Sequence, residues 1–151
     1  MKRSPLIIAV ATAALMLGAA PSMASPDGHF QLLVSSRWCI QANGHDRLVD
    51  MDDCEEYIAP WQLWRAQGDD LSKMRLQSAL DDTCLEEDSV GAVITDTCSD
   101  STTQQWNVTT RDVDGKQQVR LQNVATNNCV RQGDGGCEFD SAWLTVNGAR
   151  F

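Results

Sequence analysis

The sequence has little positive charge and few residues of the kinds that commonly perform catalysis. Its 151 residues include 12 lysines and arginines against 21 aspartates and glutamates, so the formal net charge is −9. Because lysine and arginine supply most of the attraction to phosphate groups, this balance excludes a general binder of nucleic acid. His29 and His45 are the only histidines. With no serine–histidine–acid constellation and no phosphate-binding glycine loop, the sequence predicts neither an enzyme nor a bound cofactor.

Long apolar runs are also scarce. Residues 6–17 form an uncharged apolar run that follows Lys2 and Arg3 and precedes small residues ending at Ala24. This pattern is typical of a secretory signal peptide, and the run is too short for an ordinary membrane span. We therefore predict a signal peptide over residues 1–24, no membrane insertion, and a secreted or periplasmic protein. Loss of its two basic side chains would deepen the charge from −9 to −11.

Cysteine, in contrast, is plentiful, and its spacing indicates a repeat. Cys39, Cys84 and Cys129 are separated by 45 residues and again by 45. Each precedes a branched aliphatic residue and is followed by a second cysteine. These second cysteines are Cys54, Cys98 and Cys137. An even number of cysteines in an exported chain indicates disulfides, and a fixed period indicates a fold built from similar units.

Other elements recur in the same order. Leu-Gln precedes the first cysteine at residues 76–77 and 121–122, and a tryptophan follows the second cysteine in every unit. These tryptophans lie in Gln62-Leu63-Trp64, Gln104-Gln105-Trp106 and Ser141-Ala142-Trp143. Short alternating stretches are separated by turn signals such as Asn43-Gly44, and no sustained helical stripe is present. The pattern predicts an all-β protein of three repeats, at about residues 28–70, 71–115 and 116–151.

The threefold order of Leu-Gln, Cys-aliphatic, Cys and Gln-x-Trp resembles the ricin B-chain type of β-trefoil, a fold of many lectins and carbohydrate-binding modules. The resemblance covers residues 28–151 and implies a domain over residues 25–151, a six-stranded barrel capped by three hairpins, with one disulfide in each repeat. The implied pairs are Cys39–Cys54, Cys84–Cys98 and Cys129–Cys137. In such a barrel the repeated tryptophan is interpreted as core, and the glutamine as a partner of buried backbone groups.

The resemblance also implies where a sugar would bind. The family uses an Asp two residues after the first cysteine, an aromatic two residues before the second, and an Asn before Gln-x-Trp. All nine positions hold other residues in this chain. The Asp position holds Gln41, Glu86 and Arg131 in the three repeats. The aromatic position holds Asp52, Asp96 and Gly135, and the Asn position holds Trp61, Thr103 and Asp140.

The three repeats are unequal as candidate sites. The candidate carbohydrate-binding residues are Gln41, Asn43, Asp52, Trp61 and Gln62 in the first repeat and Glu86, Asp96 and Gln104 in the second. The first repeat keeps several polar groups for hydroxyls and an indole for stacking, and the second keeps a carboxylate. In the third repeat the cysteines are only 8 residues apart and Arg131 reverses the charge, so we expect no site there.

Three aromatic residues of the first repeat have no counterparts in the other two. They are Trp38, Tyr57 and Trp61. Residues that fill a symmetric core should recur, so these side chains are interpreted either as an exposed binding patch or as a small apolar cluster under the loop after Cys54.

These observations predict a secreted, non-catalytic, carbohydrate-binding β-trefoil with degenerate sugar sites, whose partner is a glycan or glycoprotein. The alternative is a protein-interaction module with a secreted protein partner, such as a toxin-delivery subunit or an inhibitor, which would suit the acidic loops. A third hypothesis is a relative of glycosidase-attached modules that binds plant polysaccharide. No metal site is predicted, because Asp112-x-Asp114-Gly115 lacks the later ligands of a calcium loop.

Overall fold

The computed structural model describes residues 28–55, 59–132 and 136–151, so the predicted signal peptide lies outside the described residues. Within them the regular structure is almost entirely β, with three short 3₁₀ turns at Pro60–Gln62, Thr102–Gln104 and Asp140–Ala142. The strands are β1 (Phe30–Leu33), β2 (Trp38–Gln41), β3 (Arg47–Leu48), β4 (Asp50–Asp53), β5 (Trp64–Gln67), β6 (Arg75–Ser78), β7 (Cys84–Glu87), β8 (Val93–Asp96), β9 (Trp106–Val113), β10 (Lys116–Asn123) and β11 (Leu144–Gly148).

Six of these strands close into a barrel. Antiparallel pairing runs from β6 through β5, β1, β11 and β10 to β9. A bridge between Met74 and Trp106 joins the start of β6 to the start of β9 and closes the ring. Closure leaves no exposed edge among these strands, which is one way that antiparallel sheets avoid unwanted pairing. The predicted β-trefoil barrel is confirmed.

Two hairpins lie against one end of the barrel. In the first repeat β2 pairs with β4, and in the second β7 pairs with β8. In the third repeat a bridge between Gln122 and Cys129 corresponds to the Gln77–Cys84 pairing of the second, and no hairpin follows it among the described residues. The disulfide of that repeat spans 8 residues, compared with 15 and 14 in the other two, which leaves too little chain for a hairpin of the same size.

All three predicted disulfides are confirmed. Cys39 bonds Cys54, Cys84 bonds Cys98, and Cys129 bonds Cys137. Each one lies within a single repeat and closes a short loop. Bridges of this kind reduce the conformational freedom of the unfolded chain, and each is worth about 2–4 kcal/mol in the chain-entropy model.

The barrel core is built from positions that recur once in each repeat. Leu32, Leu76 and Leu121 are completely buried. Trp64 and Trp106 are also buried, and their indole N–H groups donate to the carbonyl oxygens of Ile40 and Leu85 at 3.2 and 3.0 Å. A buried indole needs such a partner because its polar N–H otherwise loses its bond to water.

The third repeat differs from the predicted register by one residue. Its 3₁₀ turn ends at Ala142, which therefore corresponds to Gln62 and Gln104, while Leu144 takes the buried place of the two core tryptophans. The expectation that Trp143 belongs to the core is wrong. Its half-buried ring packs against the guanidinium groups of Arg111 and Arg120, whose central carbons lie 4.1 and 5.2 Å from the ring centroid.

Candidate carbohydrate-binding site

Strand register decides which side chains of the first hairpin lie together. Cys39 is opposite Asp52 and Gln41 is opposite Asp50. Because successive side chains of a strand point to opposite faces, Gln41, Asp50 and Asp52 share one face of the hairpin. Trp38, Ile40 and Met51 belong to the other face. The first repeat therefore presents a polar face and an apolar face on the same two strands.

Behind the polar face lies Gln62, which is buried and bonds within the protein. Its Nε2 donates to the carbonyl oxygen of Asp53 at 2.8 Å, and its Oε1 accepts from the backbone N–H of Glu55 at 2.8 Å. The same Nε2 lies 3.5 Å from Gln41 Oε1. Gln62 thus holds the segment before and after the second cysteine and orients Gln41, without reaching the surface itself.

A chain of side-chain amides continues from Gln41 to the surface. Gln41 Nε2 donates to Asn43 Oδ1 at 3.3 Å, and Asn43 Nδ2 donates to the carbonyl oxygen of Leu48 at 2.9 Å. Trp61 is 40% exposed, and its carbonyl oxygen accepts from the backbone N–H of Ala42 at 2.7 Å. The turn that carries the indole is thereby fixed beside the strand end that carries the two amides. An apolar ring surface and adjacent amides are the two elements that a sugar ring requires.

The second repeat has the same framework, but its polar groups are already engaged. Glu86 accepts hydrogen bonds from Thr103 Oγ1 at 2.9 Å and from Gln104 Nε2 at 2.8 Å. Asp96 Oδ1 lies 2.8 Å from His45 Nε2, so a side chain of the first repeat contacts this site. Thr103 stands where the first repeat has Trp61, and a stacking face is missing at that position.

Gln104 has the same structural role in the second repeat as Gln62 has in the first. It is buried, its Nε2 also donates to the carbonyl oxygen of Thr97 at 2.8 Å, and its Oε1 accepts from the backbone N–H of Ser99 at 2.7 Å. In the third repeat Ala142 occupies this position and has no amide to offer. Gly135, the remaining candidate position of that repeat, lies outside the described residues.

Trp38 and Trp61, the two described aromatic residues specific to the first repeat, are not gathered in one patch. Trp38 and Trp61 are 41% and 40% exposed, but Trp38 lies on the apolar hairpin face while Trp61 lies beside the end of β2 that carries Gln41. Tyr57 lies outside the described residues. This separation was not predicted, although the two-residue period of β2 already puts Trp38 and Gln41 on opposite faces.

Sequence reasoning also missed an ion pair beside Trp38. The guanidinium carbon of Arg37 lies 5.9 Å from the Trp38 ring centroid, and its Nη2 donates to Asp53 Oδ2 at 2.8 Å. This bond stabilises the ionised carboxylate and lowers the pKa of Asp53. Both groups are exposed, so the pair orders the strand end more than it stabilises the fold.

Two absences concern the part of the chain that the structure describes. No group of three or more His, Cys, Asp or Glu side chains is placed there to hold a metal ion. None of its helices has the length and apolar character needed to cross a membrane.

A barrel of three repeats with this arrangement defines a β-trefoil of the lectin type. The family model for ricin-type beta-trefoil lectin domain-like proteins matches residues 60–140, more than half of the chain. The protein therefore belongs to that family. No curated protein sequence matches it.

Solved structures with the same fold have little sequence in common with this chain. The designed threefold-symmetric protein ThreeFoil has a TM-score of 0.66 at 15% identity, covering 80% of this chain and 99% of that one. The cytolethal distending toxin of Actinobacillus actinomycetemcomitans has a TM-score of 0.58 at 16% identity, covering 82% of this chain and 80% of that one. The Polyporus squamosus lectin bound to a human-type influenza-binding epitope has a TM-score of 0.61 at 10% identity, covering 79% of this chain and 48% of that one. At such identities these likenesses show the fold alone.

Proposed function

We propose that this protein is a non-catalytic carbohydrate-binding protein whose principal site is in the first repeat. The observation that carries this proposal is the exposed Trp61, whose turn is fixed by a backbone bond to Ala42, between Gln41 and Asn43 in the chain. The indole would cover the apolar face of a sugar ring. The amides and the Asp52 carboxylate on the same hairpin face would bond its hydroxyl groups.

Preorganisation supports this proposal. Gln62 holds Gln41 from behind, and a backbone bond holds the turn of Trp61, so a sugar would meet side chains that are already in place. Less ordering on binding leaves more of the contact energy as affinity. Glu86 and Asp96 form the second, lesser site, because both carboxylates already have partners and no indole stands beside them.

The three disulfides support a secreted or periplasmic location for this activity, since such bonds persist in oxidising compartments. The ligand would then be a glycan or glycoprotein met outside the cytoplasm.

Trp61→Ala tests the site against a matched control. We expect the mature wild-type protein to bind at least one sugar on a glycan array at physiological salt, and Trp61→Ala to lower that affinity by roughly tenfold or more. Trp38→Ala removes an equally exposed indole from the other face and should change the affinity less than about twofold. Circular dichroism should show all three proteins equally folded, because neither side chain is buried.

A folded wild-type protein that binds no sugar on the array would contradict the proposed function. Equal losses of sugar affinity in Trp61→Ala and Trp38→Ala would contradict the assignment of the site to the polar face.

A further inference from the structure

Among the residues that the structure describes, one end of the barrel has two hairpins and lacks a third. Hairpins β2–β4 and β7–β8 lie at that end, while the described part of the third repeat forms no strand pair after the bridge at Cys129. A cavity of about 230 Å³ lies at this end. Eight of its ten lining residues are apolar, among them Ile40 and Met51 of the first repeat, Val93 of the second and Val130 of the third.

The volume of this cavity suits a single bulky side chain. A dry cavity of roughly 150 Å³ holds benzene, whereas drug-sized ligands occupy pockets of roughly 300–1,000 Å³. At about 230 Å³ the cavity is intermediate between these, so it has room for one bulky apolar side chain and not for a drug-sized ligand. Filling it would restore the packing that a third hairpin supplies in a more symmetric trefoil.

Exposed apolar residues surround the cavity. Leu48 and Met51 line it and are 62% and 36% exposed. Trp38 lies on the same hairpin face as Met51, and its carbonyl oxygen accepts from the backbone N–H of Val34, another lining residue, at 2.8 Å. We call Trp38, Leu48, Met51 and this cavity the hairpin-end surface. Apolar surface of this kind around a pocket, with tryptophan and methionine, is typical of protein interfaces.

Charge and backbone geometry define the kind of partner. The cavity is lined by one acidic and one basic side chain, Asp50 and Arg131. The acidic excess lies along the hairpin beside it, where residues 46–55 include five acidic side chains and one basic one. Strand β4, which borders the cavity, is exposed along its whole length and pairs only with β2 among the described strands. A free strand edge can accept an extended segment, and carboxylates on both sides of it favour lysine and arginine.

We propose that the hairpin-end surface docks an extended, basic segment of a protein partner, which inserts one bulky apolar side chain into the cavity. The surface uses the opposite face of the first hairpin from Trp61 and Gln41. The inference concerns a protein partner and does not rest on the proposed sugar site. The two surfaces border each other at Asp50, which lines the cavity and shares the polar hairpin face with Gln41.

A phage-displayed library of short random peptides, panned against the folded mature protein, tests this proposal. The selected peptides should combine lysine or arginine with one leucine, phenylalanine or tryptophan. As synthetic peptides they should lose roughly tenfold or more in affinity for Leu48→Ser, which removes the rim, and for Val93→Phe, which fills the cavity.

Leu80→Ser and Trp61→Ala are the controls. Leu80 is also exposed but lies away from the cavity, so its loss should leave peptide affinity within about twofold, as should the loss of Trp61. Higher salt should weaken binding of the basic peptides. Circular dichroism checks that each variant is folded.

Three outcomes would overturn the proposal: no selected peptide, selected peptides that are acidic or lack an apolar anchor, or peptide affinity that is unchanged in both Leu48→Ser and Val93→Phe. Benzene or xenon entering the cavity while no peptide binds would assign it to a small apolar ligand instead. Loss of peptide binding together with intact glycan binding, or the reverse, separates the two sites.

Discussion

Leu144→Ala is expected to lower the free energy of unfolding by about 3–5 kcal/mol, because a fully buried leucine of the barrel core leaves a cavity when truncated. Trp143→Ala, one residue earlier, should cost only about 1–2 kcal/mol. Its ring is half-buried and packs chiefly against Arg111 and Arg120, a contact worth about 0.5–1 kcal/mol at exposed sites. Urea denaturation with the disulfides intact measures both values.

Trp106→Ala serves as the reference for this comparison. It removes the core tryptophan of the second repeat and should cost about 3–5 kcal/mol, close to the value for Leu144→Ala. If Trp143→Ala proved as costly as Trp106→Ala while Leu144→Ala was mild, the one-residue shift in the third repeat would be refuted.

Gln104→Leu is expected to lower the free energy of unfolding by about 2–4 kcal/mol. The substitution keeps a similar volume but leaves the backbone N–H of Ser99, the carbonyl oxygen of Thr97 and one oxygen of Glu86 without their partner. Gln104 is buried, so each of these three bonds is made inside the protein, and the loss of each costs about 0.5–1.5 kcal/mol. Thermal and urea unfolding monitored by tryptophan fluorescence give the difference.

The neighbouring residue supplies the control for Gln104→Leu. Gln105 is half-buried and its amide makes one bond, to the carbonyl oxygen of Asp100 at 3.2 Å. Gln105→Leu should therefore change stability by about 1 kcal/mol or less. Faster hydrogen exchange at Ser99 only in Gln104→Leu would localise the effect. Equal stability of the two variants would show that the buried amide does not support the loop.

The repeat could be predicted from the chain alone because it is a property of spacing. The 45-residue separations of Cys39, Cys84 and Cys129, with a second cysteine after each, identify the units without any knowledge of contacts. The disulfide pairs followed from the family resemblance and are confirmed. In the third repeat the prediction of Trp143 as the core residue is wrong, because Leu144 occupies that buried position.

The candidate site was predicted only in outline. Gln41, Asn43 and Trp61 do lie together beside the end of β2, but the separation of Trp38 from them depends on strand faces. Equally, the burial of Gln62 depends on where the loop after Asp53 returns, and that is not visible in the local sequence.

The sequence by itself determined the all-β class and the three units, because periodic spacing and residue type can be read along the chain. The tertiary structure alone decided which side chains meet. It put Trp38 and Gln41 on opposite faces of one hairpin, enclosed Gln62 and Gln104 behind the sites, and left a cavity where the third hairpin is too short. These features arise from pairing and packing between distant segments, so the residues that report them are far apart in the sequence.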